Sequence, residues 1–112
     1  MAYRVNPGLY ALGSPSAGSP VFATANYKLS FDALRVSLKG VDAWLLVLDT
    51  KGINVWCAAG KGTLSTDEVV DSIHRFRLHE VVGHRQLILP QLAATGVSAL
   101  GVRQGSGFSV LF

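Results

Sequence analysis

The chain has 112 residues, a formal net charge of +3, 49% hydrophobic residues and only 15% charged ones. That length suits one domain, and the composition excludes a disordered chain while leaving an unusually apolar surface for a cofactor, a partner or a further domain to cover. The basic side chains are scattered, with no run of Lys or Arg, which argues against nucleic acid.

Residues 1–20 are rich in Gly, Pro and Ser and read as an irregular N-terminal arm ahead of a domain at 21–112. "PVFATAN" predicts a short strand ending near Thr24 and Asn26. "SFDALRVSLKG" places Phe31, Leu34 and Leu38 at helical spacing, with Ser30 as N-cap and Gly40 as stop. "AWLLVLDT", 43–50, is nearly all apolar, as in a central parallel strand buried on both faces. Ser65 followed three residues later by Glu68 spells a capping box. It opens a helix whose apolar stripe is Val69, Val70, Ile73 and Phe76, running to about Leu78. "RQLILP" is a strand stopped by Pro90, "ATGVSALGVRQG" a short helix and "GFSVLF" a last strand. Strands alternating with helices predict an α/β domain with a mostly parallel, Rossmann-like sheet. Ligands of such sheets sit outside the carboxyl ends of the strands. The segments 24–26, 49–62 and 89–96 all follow strand ends and should meet on one face. The chain stops inside a predicted strand, which leads us to expect a fragment of a longer protein.

Between the second predicted strand and the capping box lies "GINVWCAAGKGT", residues 52–63, which contains the chain's single cysteine. One cysteine excludes an internal disulfide and fits a reducing compartment. No apolar stretch is long enough to span a bilayer, and the N-terminus lacks the apolar run of a secretory leader. The segment is not a phosphate-binding P-loop: the first glycine of that pattern is replaced by Val55, and Gly62 follows Lys61 where Ser or Thr is required. His74, His79 and His84 are not paired with Cys57 by any spacing, and no zinc-ligand pattern exists. Taken alone, Cys57 reads as an ordinary core cysteine. Its neighbours argue for more. Small residues let something large approach the backbone, and a short helix starting near Trp56 would set the sulfur among N-terminal amides that favour thiolate. A thiolate is a soft, strongly donating ligand. One such ligand can complete a metal that brings its own macrocycle.

"NVWCAAGKGT" resembles the cap-helix motif of the corrinoid protein of microbial mercury methylation, a family related to the large subunit of the corrinoid iron–sulfur protein of the acetyl-CoA pathway. "YRVNPGLYALG", "TANYKLSFD", "AWLLVLDTKGINVWCAAGKGT", "EVVGHRQLILPQL" and "GFSVLF" resemble it in the same order. Leu64 and Ser65 depart from the aromatic residue and glycine usual after "GKGT". The resemblance implies a methyltransferase domain binding cobalamin or a related corrinoid, with Cys57 as catalytic residue and lower axial ligand of cobalt. Asn54, Val55 and Trp56 before Cys57, and Ala58, Ala59, Gly60, Lys61, Gly62 and Thr63 after it, would pack along the corrin ring. Thr24, Asn26, Thr50, Leu89, Gln91 and Gly96 are expected beside the displaced nucleotide tail. Trp56 is expected to be a buried anchor or shield of the ring. Lys61 is expected to meet a phosphate or simply to lie in water. The resemblance further implies transfer of a methyl group to Hg(II), a methylated folate donor system, a ferredoxin-like iron–sulfur reductant, and a cytoplasmic domain anchored to the membrane through a part outside this chain. Generally, the acetyl-CoA pathway relatives lack the cysteine, and this favours the mercury reading. The alternatives are a corrinoid methyl carrier of one-carbon metabolism without mercury activity, and a non-catalytic α/β module that docks a partner.

Overall fold

The computed structural model describes residues 3–112, the side chain of Trp56 excepted. Five strands form one sheet in the order β1-β3-β2-β4-β5. They are β1 (Gly8–Leu12), β2 (Val21–Ala25), β3 (Ala43–Leu48), β4 (Gln86–Ile88) and β5 (Ser109–Leu111). β2 to β5 run parallel, and β1 lies antiparallel to β3, from Gly8 opposite Val47 to Leu12 opposite Ala43. The mostly parallel α/β architecture expected from the alternation of elements is therefore present. The N-terminal arm is not irregular throughout, since β1 lies within it. Its Gly- and Pro-rich surroundings hide a strand whose stability comes from a distant partner rather than from local pattern.

Helices α1 (Lys28–Ser37), α2 (Val55–Lys61), α3 (Thr66–Arg75), α4 (Leu78–Val81) and α5 (Ala99–Ser106) connect the strands, with a 3-10 turn at Gln91–Thr95. Strand parity divides them between two faces. Val21, Ala23 and Ala25 of β2 and Leu46 and Leu48 of β3 share a buried core with Ala58 of α2, Val69 and Ile73 of α3, Ala93, Val102 of α5, and Phe108. On the other face, Tyr10 stands opposite Leu45 and meets Phe31 of α1 edge to face, ring centres 5.4 Å apart.

The ends of the helices show which sequence signals hold. α1 begins at Lys28, not after Ser30, and Tyr27 supplies no side-chain cap. The Lys28 amide donates instead to the Tyr3 carbonyl (2.7 Å), because residues 3–5 run alongside Asn26–Lys28. A backbone partner from the arm makes a capping side chain unnecessary. α3 does begin as expected, with Ser65 Oγ accepting from the Glu68 amide at 3.2 Å. It ends at Arg75 rather than near Leu78, and Leu78 opens α4. The Glu68 carboxylate does not return to complete a capping box. Its Oε2 accepts from the Asp49 amide (3.0 Å) and the Ser72 hydroxyl (2.6 Å), so α3 grips the end of β3.

Candidate functional site

β2 connects to β3 on one side of it, whereas β3 connects past β2 to β4 and β4 onward to β5. The direction of winding therefore reverses between β2 and β4, and the crevice of a doubly wound sheet opens at their carboxyl ends. α2 sits over that crevice, packed against β2 and the 3-10 turn after β4. The three segments expected to converge do so. What they form is a lidded crevice, not an open one.

α2 owes its start to Asn54, whose side-chain Oδ1 accepts from the Cys57 amide at 2.8 Å. It ends at Gly62, whose φ of +80° is the left-handed conformation that a glycine adopts without strain. The Leu64 amide then donates to the Ala58 carbonyl at 3.1 Å. The inner face of α2 is Val55, Ala58 and Ala59, all buried. Their side chains, and that of the buried Leu89, pack into the core, which leaves the backbone and the outer face of α2 for a ligand. The outer face carries Cys57, half-buried, followed at i+3 and i+4 by the exposed Gly60 and Lys61. A Cβ added at Gly60 would meet nothing within 4 Å, so the surface beside Cys57 is flat and clear. Lys61 points to solvent. The role expected of the Trp56 side chain falls outside the described residues.

Thr24, Asn26 and Thr50, at the carboxyl ends of β2 and β3, are 3%, 4% and 0% exposed. Asn26 Oδ1 accepts from the Thr50 amide (2.8 Å), the Thr50 hydroxyl (3.0 Å) and the Gly52 amide (2.9 Å). The Thr50 hydroxyl also faces the Ile53 carbonyl at 2.7 Å. Among the described residues no buried side-chain nitrogen or oxygen lacks a partner. Asn26 Oδ1 and the Thr50 hydroxyl, expected beside a nucleotide tail, are here bonded within the protein. Gln91, exposed on the 3-10 turn, and Thr63, half-buried at the end of α2, remain at the surface.

Gly96 is held by contact. A Cβ there would stand 2.4 Å from the Leu64 carbonyl oxygen and 3.2 Å from the Ala59 Cα. Gly96→Ala should therefore force the end of α2 away from the 3-10 turn and lower stability by about 1–3 kcal/mol, as overpacking does. Chemical denaturation checks it, and an unchanged midpoint would show that the turn yields freely.

At the edge of the site, Asp49 has its carboxyl held below the usual carboxylate value. The Lys51 amide hydrogen bond (3.1 Å) does most of this, with the Lys51 ammonium (3.3 Å) and the Arg75 charge adding to it, against partial burial. A carboxyl that is more acidic folded than unfolded stabilises the fold above its unfolded pKa. That contribution disappears as pH falls from about 4 downward. Urea midpoints at pH 7 and pH 3 should differ less for Asp49→Asn than for the parent; equal differences would exclude Asp49 from the acid response.

The histidines are engaged elsewhere. His84 Nε2 donates to the Ser19 carbonyl (2.8 Å) while its Nδ1 accepts from the Gln86 amide (3.1 Å), so both ring nitrogens are engaged. His74 Nε2 bonds the Gly105 carbonyl at 2.9 Å. No group of three or more His, Cys, Asp or Glu among the described residues could hold a bare metal ion.

Compared with known proteins, the sequence profile described as CO dehydrogenase/acetyl-CoA synthase delta subunit matches residues 2–108. The chain belongs to that family. Relatives include the acetyl-CoA decarbonylase/synthase complex subunit gamma of Methanosarcina acetivorans, 40% identical over 94 residues, which are 80% of this chain and 20% of the relative. The Archaeoglobus fulgidus subunit of the same name is 34% identical over 110 residues, 96% of this chain and 23% of the relative. That of Methanopyrus kandleri is 36% identical over 93 residues, 81% and 20%. The chain spans about a fifth of the length of the curated relatives it matches. Family membership bears out the acetyl-CoA side of the resemblance, and the relatives are named as subunits of an enzyme complex. The expected membrane anchorage is corrected: the relatives are named as subunits of that complex, and no helix among the described residues is long and apolar enough to cross a membrane.

Proposed function

We propose that this chain is a corrinoid-binding domain that carries a methyl group in one-carbon metabolism of the acetyl-CoA type. Its family and relatives support the setting. The observation that carries the cofactor reading is the outer face of α2, where the half-buried Cys57 adjoins the clear surface at Gly60 above the switch-point crevice. When bound, a corrinoid supplies the cobalt on which a methyl group is carried between donor and acceptor. Cys57 is the residue whose sulfur would hold the cobalt. Asn54 fixes the turn of helix that presents it, and the inner residues of α2 keep that helix on the sheet. Gly60 leaves room for a flat ring, and Gln91, Thr63 and Lys61 are the surface groups placed to meet amide or phosphate oxygens at its rim. A methylated folate system as donor and a ferredoxin-like iron–sulfur protein as reductant complete the proposal.

Cys57 favours a second reading for the acceptor, Hg(II). A sulfur ligand from Cys57 would donate electron density to the bound metal, the lever by which proteins tune such metals. An electrophilic metal ion that takes carbon together with its bonding electrons profits from that donation.

Titrating the purified chain with hydroxocobalamin tests the cofactor. Binding should be saturable, and the visible spectrum of the complex should differ between the parent and Cys57→Ala. Identical spectra would remove sulfur ligation. Absence of binding by the parent would remove the corrinoid and leave a docking module.

A further inference from the structure

We propose that Asn26 is the positioning residue for Cys57, holding the loop that aims the thiol although it never touches it. The inference rests on the corrinoid reading only for what the thiol finally meets.

Asn26 follows β2, and among the described residues it is the one side chain from another element that bonds the 50–54 loop. Every group facing its Oδ1 is a donor. Two are backbone amides, of Thr50 and Gly52, with no strand or helix partner of their own. The third, the Thr50 hydroxyl, has a single hydrogen shared between Asn26 Oδ1 and the Ile53 carbonyl. That carbonyl belongs to the residue before Asn54. Asn54 in turn caps the Cys57 amide with its side chain and takes the Ala58 amide with its carbonyl, both at 2.8 Å. A continuous hydrogen-bonded path thus runs from the end of β2 to the first turn of α2. The path is buried at Asn26 and Thr50 and reaches the surface at Cys57. With Oδ1 removed, the two loop amides lose their acceptor, that of Thr50 at a fully buried residue, and the loop must rearrange to recover one. The helix it launches moves with it.

Because all partners of Oδ1 are donors, a carboxylate serves as well as an amide oxygen. Asn26→Asp should therefore behave as the parent, whereas Asn26→Leu, similar in shape without an acceptor, should not. Amide hydrogen exchange of the chain without cofactor reads this directly. Asn26→Leu should speed exchange at Thr50, Gly52 and Cys57 by about tenfold, the loss of roughly one hydrogen bond, while Leu46 in β3 keeps its protection. Asn26→Asp should restore all three. Should Asn26→Leu unfold, as loss of protection at Leu46 would reveal, the reading is taken from Asn26→Ser, whose shorter side chain leaves the same acceptor position empty. Faster exchange at Thr50 and Gly52 with Cys57 unchanged would overturn the proposal, reducing Asn26 to a loop fastener. So would failure of the Asp variant to restore Cys57. In a parallel titration with hydroxocobalamin, Asn26→Leu should bind yet show the visible spectrum of Cys57→Ala, and Asn26→Asp the spectrum of the parent. A parent spectrum in Asn26→Leu overturns the positioning role. If the parent itself matches Cys57→Ala, it is sulfur ligation that fails, and the exchange result still decides the role of Asn26.

Discussion

If Hg(II) is the acceptor, Cys57→Ala in the cobalamin-loaded parent protein, supplied with its reductant, is expected to lower methyl transfer to it by at least about 100-fold. Loss of partners one shell further out from a metal already costs 10–100-fold. The cofactor should remain bound, since the clear face at Gly60 and the rim groups are untouched. Cys57→His should retain binding and transfer at an intermediate rate, because imidazole donates less charge than thiolate. Methylmercury formation against bound cobalamin is the measurement. If transfer survives in Cys57→Ala, the thiol does not tune the reaction. If the parent carries and delivers methyl groups yet forms no methylmercury, the acceptor lies in acetyl-CoA chemistry and the mercury reading falls.

The largest stability effect is expected at Phe108. Among the described residues it is the largest fully buried side chain, packed in the core with residues of α2, α3 and α5, with the Arg85 guanidinium 5.5 Å from its ring. Phe108→Ala should remove about 3–5 kcal/mol. Set against the ~5–15 kcal/mol typical of a whole domain, that brings the chain close to unfolding. Chemical denaturation of the two proteins side by side measures it. A loss below about 1 kcal/mol would mean that the core closes over the gap, as volume-conserving repacking does.

Where a signal is local, the chain announced its structure. The apolar run 43–48 became β3, Ser65 capped α3, and a short helix does begin beside Trp56. Where a neighbour distant in sequence decides, it did not. β1 has no alternation to display and exists because β3 offers it an edge. α1 starts two residues before Ser30 because the arm satisfies its first amide. Glu68 has the spacing of a capping box, yet the Asp49 amide and the Ser72 hydroxyl take its carboxylate; spacing specifies reach and says nothing of rival partners. Cys57 stood out by the oddness of its setting, and it does face outward. Asn26 and Thr50 follow strands of a parallel sheet, which made them look ligand-facing. Only the fold reveals that they are buried and bonded to each other.

The order β1-β3-β2-β4-β5 puts the first of the parallel strands in the middle of the sheet. During synthesis β2 leaves the ribosome before either strand that will flank it. β3 follows soon and can zip along five residue pairs, from Val21 opposite Trp44 to Ala25 opposite Leu48. β4 is roughly 60 residues behind β2, several seconds at ~5–20 residues per second, and joins through the single pair Phe22 and Ile88. Until it arrives, β2 presents a bare apolar edge to every other nascent chain. The seam that waits for β4 is also the thinnest in the sheet, so misassembly of this protein should begin between β2 and β4, the same place where the crevice opens.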